Sequence, residues 1–180
     1  MSGSLFSHTE AELIYAARRG DGAAFADLLR PQFKAAFRVA YGLLHDASEA
    51  EDVVQEASFK AWRRLGNLRE GTSLKPWFLA IVANQCRGVS GSRWWAVRKA
   101  GDPQERDTRS VDVAAAVDLR MALRRLGHDD RLVVVLRYYL DMPFEEIAVT
   151  LGITPTAAKH RIERAVHRLR PMVQSQGAAI

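Results

Sequence analysis

The apolar positions of this chain recur at three- and four-residue intervals almost from end to end, and no stretch sustains the alternation of a strand. The periodicity predicts helices over 8–19, 21–45, 48–66, 73–90, 112–126, 128–140, 143–151 and 155–170. Local chemistry punctuates them. Asp21 follows Gly20 as an N-cap, and Ser48 precedes Glu51 at capping-box spacing. Gly127 and Gly152 stand where helix C-caps belong, and Thr154 before Pro155 reads as a cap with proline in the first turn. "GNLREGTS", 66–73, reads as a loop. "AGDPQERDTRS", 100–110, has Gly, Pro and charges but no aliphatic residue beyond one Ala. Such a stretch extends to roughly 35 Å and joins two domains more naturally than it closes a turn. Residues 172–180 read as a frayed tail. The expected fold is all-α: two small helical domains, 1–97 and 113–180, on either side of a flexible linker, 98–112.

Within "EDVVQEASFKAW", 51–62, Val54, Ser58, Ala61, Trp62 and the following Leu65 gather on one side of a helix as a core stripe. The opposite side carries Asp52, Glu56, Phe59 and Arg63, with Gln55 on its flank. A phenyl ring among carboxylates suits a protein partner better than water, although a solvated face with one aromatic is the commoner arrangement.

Residues 141–171 have the shape of a helix-turn-helix. Ile147, Ala148 and Leu151 form a short stripe, Gly152 allows the turn and Ile153 plugs it. The second helix buries Ala158, Ile162, Ala165 and Leu169 and turns Thr156, Lys159, His160, Glu163, Arg164 and His167 outward. Lys159 and Arg164 suit guanine edges or phosphates, and Glu163 can accept from cytosine. Arg168 and Arg170 lie further along and suit phosphates, since a recognition helix reads bases with its N-terminal part. Two other readings stay open here: a packing module with a basic solvated face, and a metal site on His160, Glu163 and His167.

Composition narrows the classes. A chain of 180 residues, 48% apolar and 26% charged, can bury a core. Its longest apolar runs are too short to cross a bilayer, and its start has no secretory pattern, so membrane insertion is not expected and a reducing cytoplasm is. The single Cys86 excludes an internal disulfide and a cysteine-based zinc site; Cys86 reads as a small buried residue. Net charge is +5, but its distribution says more. Residues 45–56 hold five acids and no Lys or Arg, whereas 154–171 hold five Lys or Arg against Glu163 alone. Patches of opposite sign suggest two different partners.

Taken in order, "GDGAAFADLL", "AEDVVQEASFKAW", "KPWFLAIVANQCR" and "ALRRLGHDDRLVVVLRYYLDMPFEEIAVTLGITPTAAKHRIERA" resemble an extracytoplasmic-function (group IV) sigma factor of bacterial RNA polymerase, over about residues 9–171. The resemblance implies a non-enzymatic specificity subunit without cofactor. Its partners would be core RNA polymerase (the β′ clamp helices and the β flap), promoter DNA and an anti-sigma factor. Asp52, Gln55 and Glu56 match the family's "DxxQE" face, which docks on the β′ clamp coiled coil, and Phe59 would add apolar area there. Residues 72–100 would melt and read the minus-ten element. Asn84 matches the family's "ARN" asparagine; Arg87, Arg93 and Lys75 suit the phosphates beside it. Aromatic platforms hold unpaired bases at about 1–3 kcal/mol each. Trp77 is one candidate, although Phe78, Ile81 and Val82 continue its stripe into a core; Trp94 and Trp95 suit either role. Thr156, Lys159, His160, Glu163 and Arg164 would read the minus-thirty-five element as duplex.

The chain departs from the family pattern in places. Gly88 stands where an Asp is common, and "GVSGSR" replaces a basic helical run, so the helix is expected to end or kink around 88–92. Pro143 replaces a Ser-like cap, and Glu163 puts an acid on the reading face. A helix-turn-helix regulator working without polymerase, and a metal-dependent enzyme or sensor, are the competing classes.

Overall fold

The computed structural model describes the backbone of residues 9–100 and 113–174 and the side chains of 9–90 and 119–171. Nine α-helices follow one another among the described residues: α1 (Glu10–Arg18), α2 (Gly22–Leu29), α3 (Phe33–Leu44), α4 (Ala47–Arg64), α5 (Leu74–Ala100), α6 (Val113–Arg125), α7 (His128–Val134), α8 (Phe144–Leu151) and α9 (Pro155–Gln174). The all-α class is as the periodicity predicts. The linker expected at 98–112 lies, from residue 101, outside the described residues.

Several boundaries differ from the sequence expectation, each for a local reason. The single helix expected over 21–45 is broken by Pro31, which has no N–H for the ladder and clashes with the preceding turn. A 3₁₀ turn, Arg30–Gln32, joins α2 to α3 there. Asp46, not Ser48, caps α4, its carboxylate accepting from the Glu49 N–H at 2.9 Å. His45 in the left-handed region (φ 58°) ends α3 and sets that earlier start. Gly127 has φ −58° and precedes α7, so it is no left-handed cap of α6. The helix expected to reach residue 140 changes at Val135 into a π-helical turn, Val135–Tyr139, which buries Val135 and Leu136 together. Helix α5 does not end at 88–92: it continues to Ala100. Glycine there costs helix about 1 kcal/mol, and Val89 packed against the core helps hold the backbone. Helix α9 continues past Pro171 to Gln174.

The N-terminal half packs α3, α4 and α5 around Val39, Leu43, Val53, Leu79 and Val82, with α1 and α2 alongside. Tertiary caps tie it together. Glu10 of α1 accepts from the Leu74 N–H at 2.9 Å, which satisfies an orphan donor at the start of α5. The Arg18 guanidinium donates to the carbonyls of Leu65 and Leu68 beyond α4. In the C-terminal half α6, α7 and α8 all pack on α9.

The two halves also pack on each other, α5 against α8 and α3 against α7 and the π-helical turn. One buried apolar cluster runs through both. A Cβ built on Gly42 of α3 would lie 2.9 Å from Val135 Cγ2, so only glycine permits this approach. Beside it the Arg131 guanidinium donates to four carbonyls: Leu43 of α3 (2.8 Å), Leu123 (2.8 Å), Arg124 (2.8 Å) and Leu126 (3.1 Å). One cation thus caps the C-terminal ends of helices from both halves.

Candidate protein-docking and nucleic-acid surfaces

On α4 the core face is Ala50, Val53, Val54, Ala57 and Ala61. The expected stripe is therefore rotated. Val54, Ala61 and Leu65 are buried, and the Ser58 hydroxyl is half-buried, donating to the Val54 carbonyl at 2.8 Å. Trp62 instead lies on the rim, edge-on to Phe25 at 4.9 Å. The opposite face gathers Asp52, Gln55, Glu56 and Phe59, all exposed, at i, i+3, i+4 and i+7. Lys60 lies 3.7 Å from Glu56 and donates to Gln85 of α5 at 2.6 Å, leaving the face predominantly acidic.

Phe59 is 62% exposed, too open for a core role. It forms one wall of an apolar groove of about 550 Å³, with Phe25, Phe33, Phe37, Val54 and Trp62 as the other walls. The acidic face and this groove share Gln55 and Phe59 and form one continuous surface. Carboxylates beside an apolar trough fit a partner helix with both basic and apolar side chains. The groove was not legible in sequence, because Phe25, Phe33 and Phe37 lie outside α4 and meet Phe59 and Trp62 only through tertiary packing.

Helix α5 anchors itself through Leu74, Phe78, Leu79, Val82 and Cys86. Burial pushes the Cys86 thiol up to about 12, so it is an inert core group. Asn84 and Arg87 are exposed one turn apart, the guanidinium donating to the Asn84 side-chain Oδ1 at 3.4 Å. Arg87 is also paired with Asp129 of α7. Trp77 is half-buried and packs against the core, which leaves part of its ring open. Lys75, a third exposed, forms an ion pair with Glu146 of α8 at 2.9 Å. Lys75 and Trp77 therefore stand in the first turn, away from Asn84 and Arg87. The side chains of Arg93, Trp94 and Trp95 lie outside the described residues.

The helix-turn-helix is formed as the sequence indicates. Gly152 takes φ 66° at the end of α8, and the Thr154 hydroxyl accepts from the Ala157 N–H at 3.2 Å to start α9. Pro143 begins α8 without a side-chain cap. Ala158, Ile162, Ala165 and Leu169 are buried. Thr156, Lys159, His160, Glu163, Arg164 and His167 all face outward, the last four around a shallow depression. Glu163 lies with its carboxylate 3.3 Å from His160 Nδ1 one turn away on the same face. Arg168 pairs with Asp130 of α7 at 2.6 Å. Among the described residues no three His, Cys, Asp or Glu are grouped to hold a metal ion, and no helix is long and apolar enough to cross a membrane.

Comparison with known proteins bears on both surfaces. The family model "Sigma-70 region 2" matches residues 32–100, and "Sigma-70, region 4" matches 116–169. The ECF RNA polymerase sigma factor SigL of Mycobacterium tuberculosis is 30% identical over 177 residues, covering 88% of this chain and 96% of that protein. The RNA polymerase sigma-H factor of Pseudomonas aeruginosa is 27% identical over 177 residues, covering 89% and 92%. The probable RNA polymerase sigma factor RfaY of Xanthomonas campestris is 28% identical over 141 residues, covering 71% of this chain and 34% of that protein. Among solved structures, the sigma factor RpoE in complex with the anti-sigma factor NepR from Bartonella quintana aligns at TM-score 0.64 and 25% identity, over 83% of this chain and 96% of that one. CnrH in complex with the cytosolic domain of CnrY shares the fold at TM-score 0.67, over 91% of this chain and 96% of that one, with 23% identity. Both regions in order along one chain do not favour a stand-alone regulator. The chain belongs to the extracytoplasmic-function sigma factors of RNA polymerase.

Proposed function

We propose that this sigma factor binds core RNA polymerase through α4 and selects promoters through α5 and α9. The observation that carries the reading is the exposed quartet Asp52, Gln55, Glu56 and Phe59 on one face of α4, continuous with an apolar groove. Asp52 and Glu56 meet basic side chains of the β′ clamp helices, Gln55 adds an amide, and Phe59 with the groove takes up apolar ones. In α5, Asn84 contacts the melted minus-ten strand, Lys75, Arg87 and Arg93 neutralise its backbone, and the open part of Trp77 offers a stacking edge. In α9, Thr156, Lys159, His160, Glu163 and Arg164 read the minus-thirty-five duplex while the domain sits near the β flap. Residues 98–112 let the domains, 1–97 and 113–180, work far apart. Unstacking a base costs a few kcal/mol, so opening requires the polymerase. The subunit breaks no covalent bond and needs no cofactor. It works where the polymerase is, in the cytoplasm, and its fold's occurrence in complexes such as RpoE with NepR supports an anti-sigma partner.

The test is co-elution of the purified chain with core polymerase. Asp52→Arg with Glu56→Arg abolishes association while the helical circular dichroism stays intact. Unchanged co-elution of that double variant removes the docking assignment.

A further inference from the structure

Asn84 on α5 has a neighbour that the promoter assignment leaves idle. Successive side chains on a helix stand about 100° apart, so Gln85 lies on one flank of Asn84 and Arg87 on the other. Arg87 turns toward α7, where it meets Asp129. Gln85 turns toward α4, where Lys60 Nζ donates to its Oε1 at 2.6 Å. Lys60 is itself held from behind: Glu56, one turn earlier on α4, places Oε1 3.7 Å from the same Nζ. Lys60 and Gln85 are both half-buried. They are 25 positions apart in the chain, so the packing of α4 on α5 sets the geometry of their bond.

The chemistry of that bond decides what Gln85 can offer. A carboxamide has an accepting oxygen on one side and two N–H donors on the other, and by turning about its last bond it presents either. An ammonium group has donors and no acceptor. The atom facing Lys60 must therefore be the oxygen, and the Nε2 donors point away from it. Among the described residues these donors meet no acceptor, and Nε2 is not enclosed. Gln85 thus has its acceptor engaged by a charge and its donors open beside Asn84.

A free Gln pairs bidentately with adenine, accepting from N6 and donating to N7. With Oε1 held by Lys60 the accepting half of that pairing is weakened and the donating half remains. Donors alone match the keto oxygens of thymine (O4) and guanine (O6), and they oppose the amino groups of adenine and cytosine. We propose that Gln85 selects a keto base, thymine or guanine, in the unpaired minus-ten strand, and that Lys60 is the positioning residue that fixes its carboxamide as a donor. This selectivity rests on the assignment of α5 to that strand and names a base class for it. Lys60 touches no base; it acts through Gln85.

The test is transcription by core polymerase carrying the full chain, on a promoter library randomised across the minus-ten element, with transcripts and their templates counted by sequencing. Wild-type chain should favour keto over amino bases about tenfold at one position. Gln85→Leu should abolish that preference and leave the other positions unchanged. Gln85→Glu keeps the shape but can only accept, and should reverse the preference toward the amino bases. Lys60→Met keeps the apolar stem and frees Oε1, so adenine should rise to the level of the keto bases at that position. Lys60→Arg, again donor-only, should retain the wild-type preference. Base preferences identical in wild type and Gln85→Leu refute selection by Gln85. A Lys60→Met chain that weakens all promoters alike, with the keto preference intact, refutes the positioning role. Chain-dependent transcripts with either of these results reject the base selection alone, and no chain-dependent transcripts from wild type reject the functional reading itself.

Discussion

Gly42→Ala probes the contact between the halves through a single methyl group. In a helix interior alanine is favoured over glycine by about 1 kcal/mol. That gain applies whether the halves are together or apart, because α3 stays helical in both, so it cancels from the opening equilibrium. The steric term does not cancel. The new Cβ would lie 2.9 Å from Val135 Cγ2 and 3.1 Å from Cγ1, and Val135 is only 4% exposed. Its β-branched side chain has little rotamer freedom to yield, and overpacking of this kind costs about 1–3 kcal/mol. The closed form should lose that amount relative to the open one, a shift of roughly 5- to 150-fold in the equilibrium. X-ray scattering in dilute solution reads it as an increased radius of gyration, with helical content unchanged. A variant that is simply more stable by about 1 kcal/mol, at the wild-type radius, would show that α3 and Val135 are not pressed together and would refute the reasoning.

Arg131→Met keeps the apolar stem but removes four hydrogen bonds to carbonyls. At about 1 kcal/mol for each acceptor left to water, urea unfolding should show a loss of about 4 kcal/mol; a loss below about 1 kcal/mol would contradict the capping role. His128 sits at the interface with Nε2 buried and without a hydrogen-bond partner, and its pKa is lowered below 6.5 by burial and by the charges of Arg87 and Arg131, against the opposing pull of Asp129 and the Ala83 carbonyl. The unfolded chain therefore takes up the proton first as pH falls. This stabilisation is complete above about pH 6.5 and declines as pH drops toward the lowered folded value. His128→Gln should flatten the decline below about pH 6.5, and an unchanged pH profile would exclude His128 as its source. Lys159→Ala or Arg164→Ala should cost about 1–3 kcal/mol in use of the cognate upstream element and little elsewhere. Equal weakening on all sequences, with a salt slope reduced by about one, would reassign them to phosphates.

What the sequence made legible is what local chemistry decides. The inner and outer faces of α9, the Thr154 and Asp21 caps and the left-handed Gly152 depend on residues within one or two turns of each other, and each was readable. The quartet on α4 was readable because charge and helical spacing agree, whereas the core stripe of the same helix was misjudged by including Trp62. A ring that large can lie on a rim, edge-on to Phe25, and still look like core in a periodicity. Pro31 was in plain view, yet the apolar spacing on either side of it remained in phase and masked the break. The continuity of α5 was not readable, since two glycines and two serines argue locally for an end while Val89 holds the helix from outside the local sequence. The groove beside Phe59 and the pairing of Lys75 and Arg87 with acids more than forty positions away are tertiary facts. They carry no signature in spacing, because each depends on how two separately legible elements come to rest on one another.

If the negatively charged face of α4 seats the chain on polymerase, its basic helices can choose where transcription starts. Purified chain added to core RNA polymerase and genomic DNA, with transcript 5′ ends mapped by sequencing, tests it most directly. The prediction is a set of start sites that appear only with the chain, share two upstream elements, and vanish with Asp52→Arg and Glu56→Arg. Start sites identical with and without the chain, or persisting with the double variant, would contradict it.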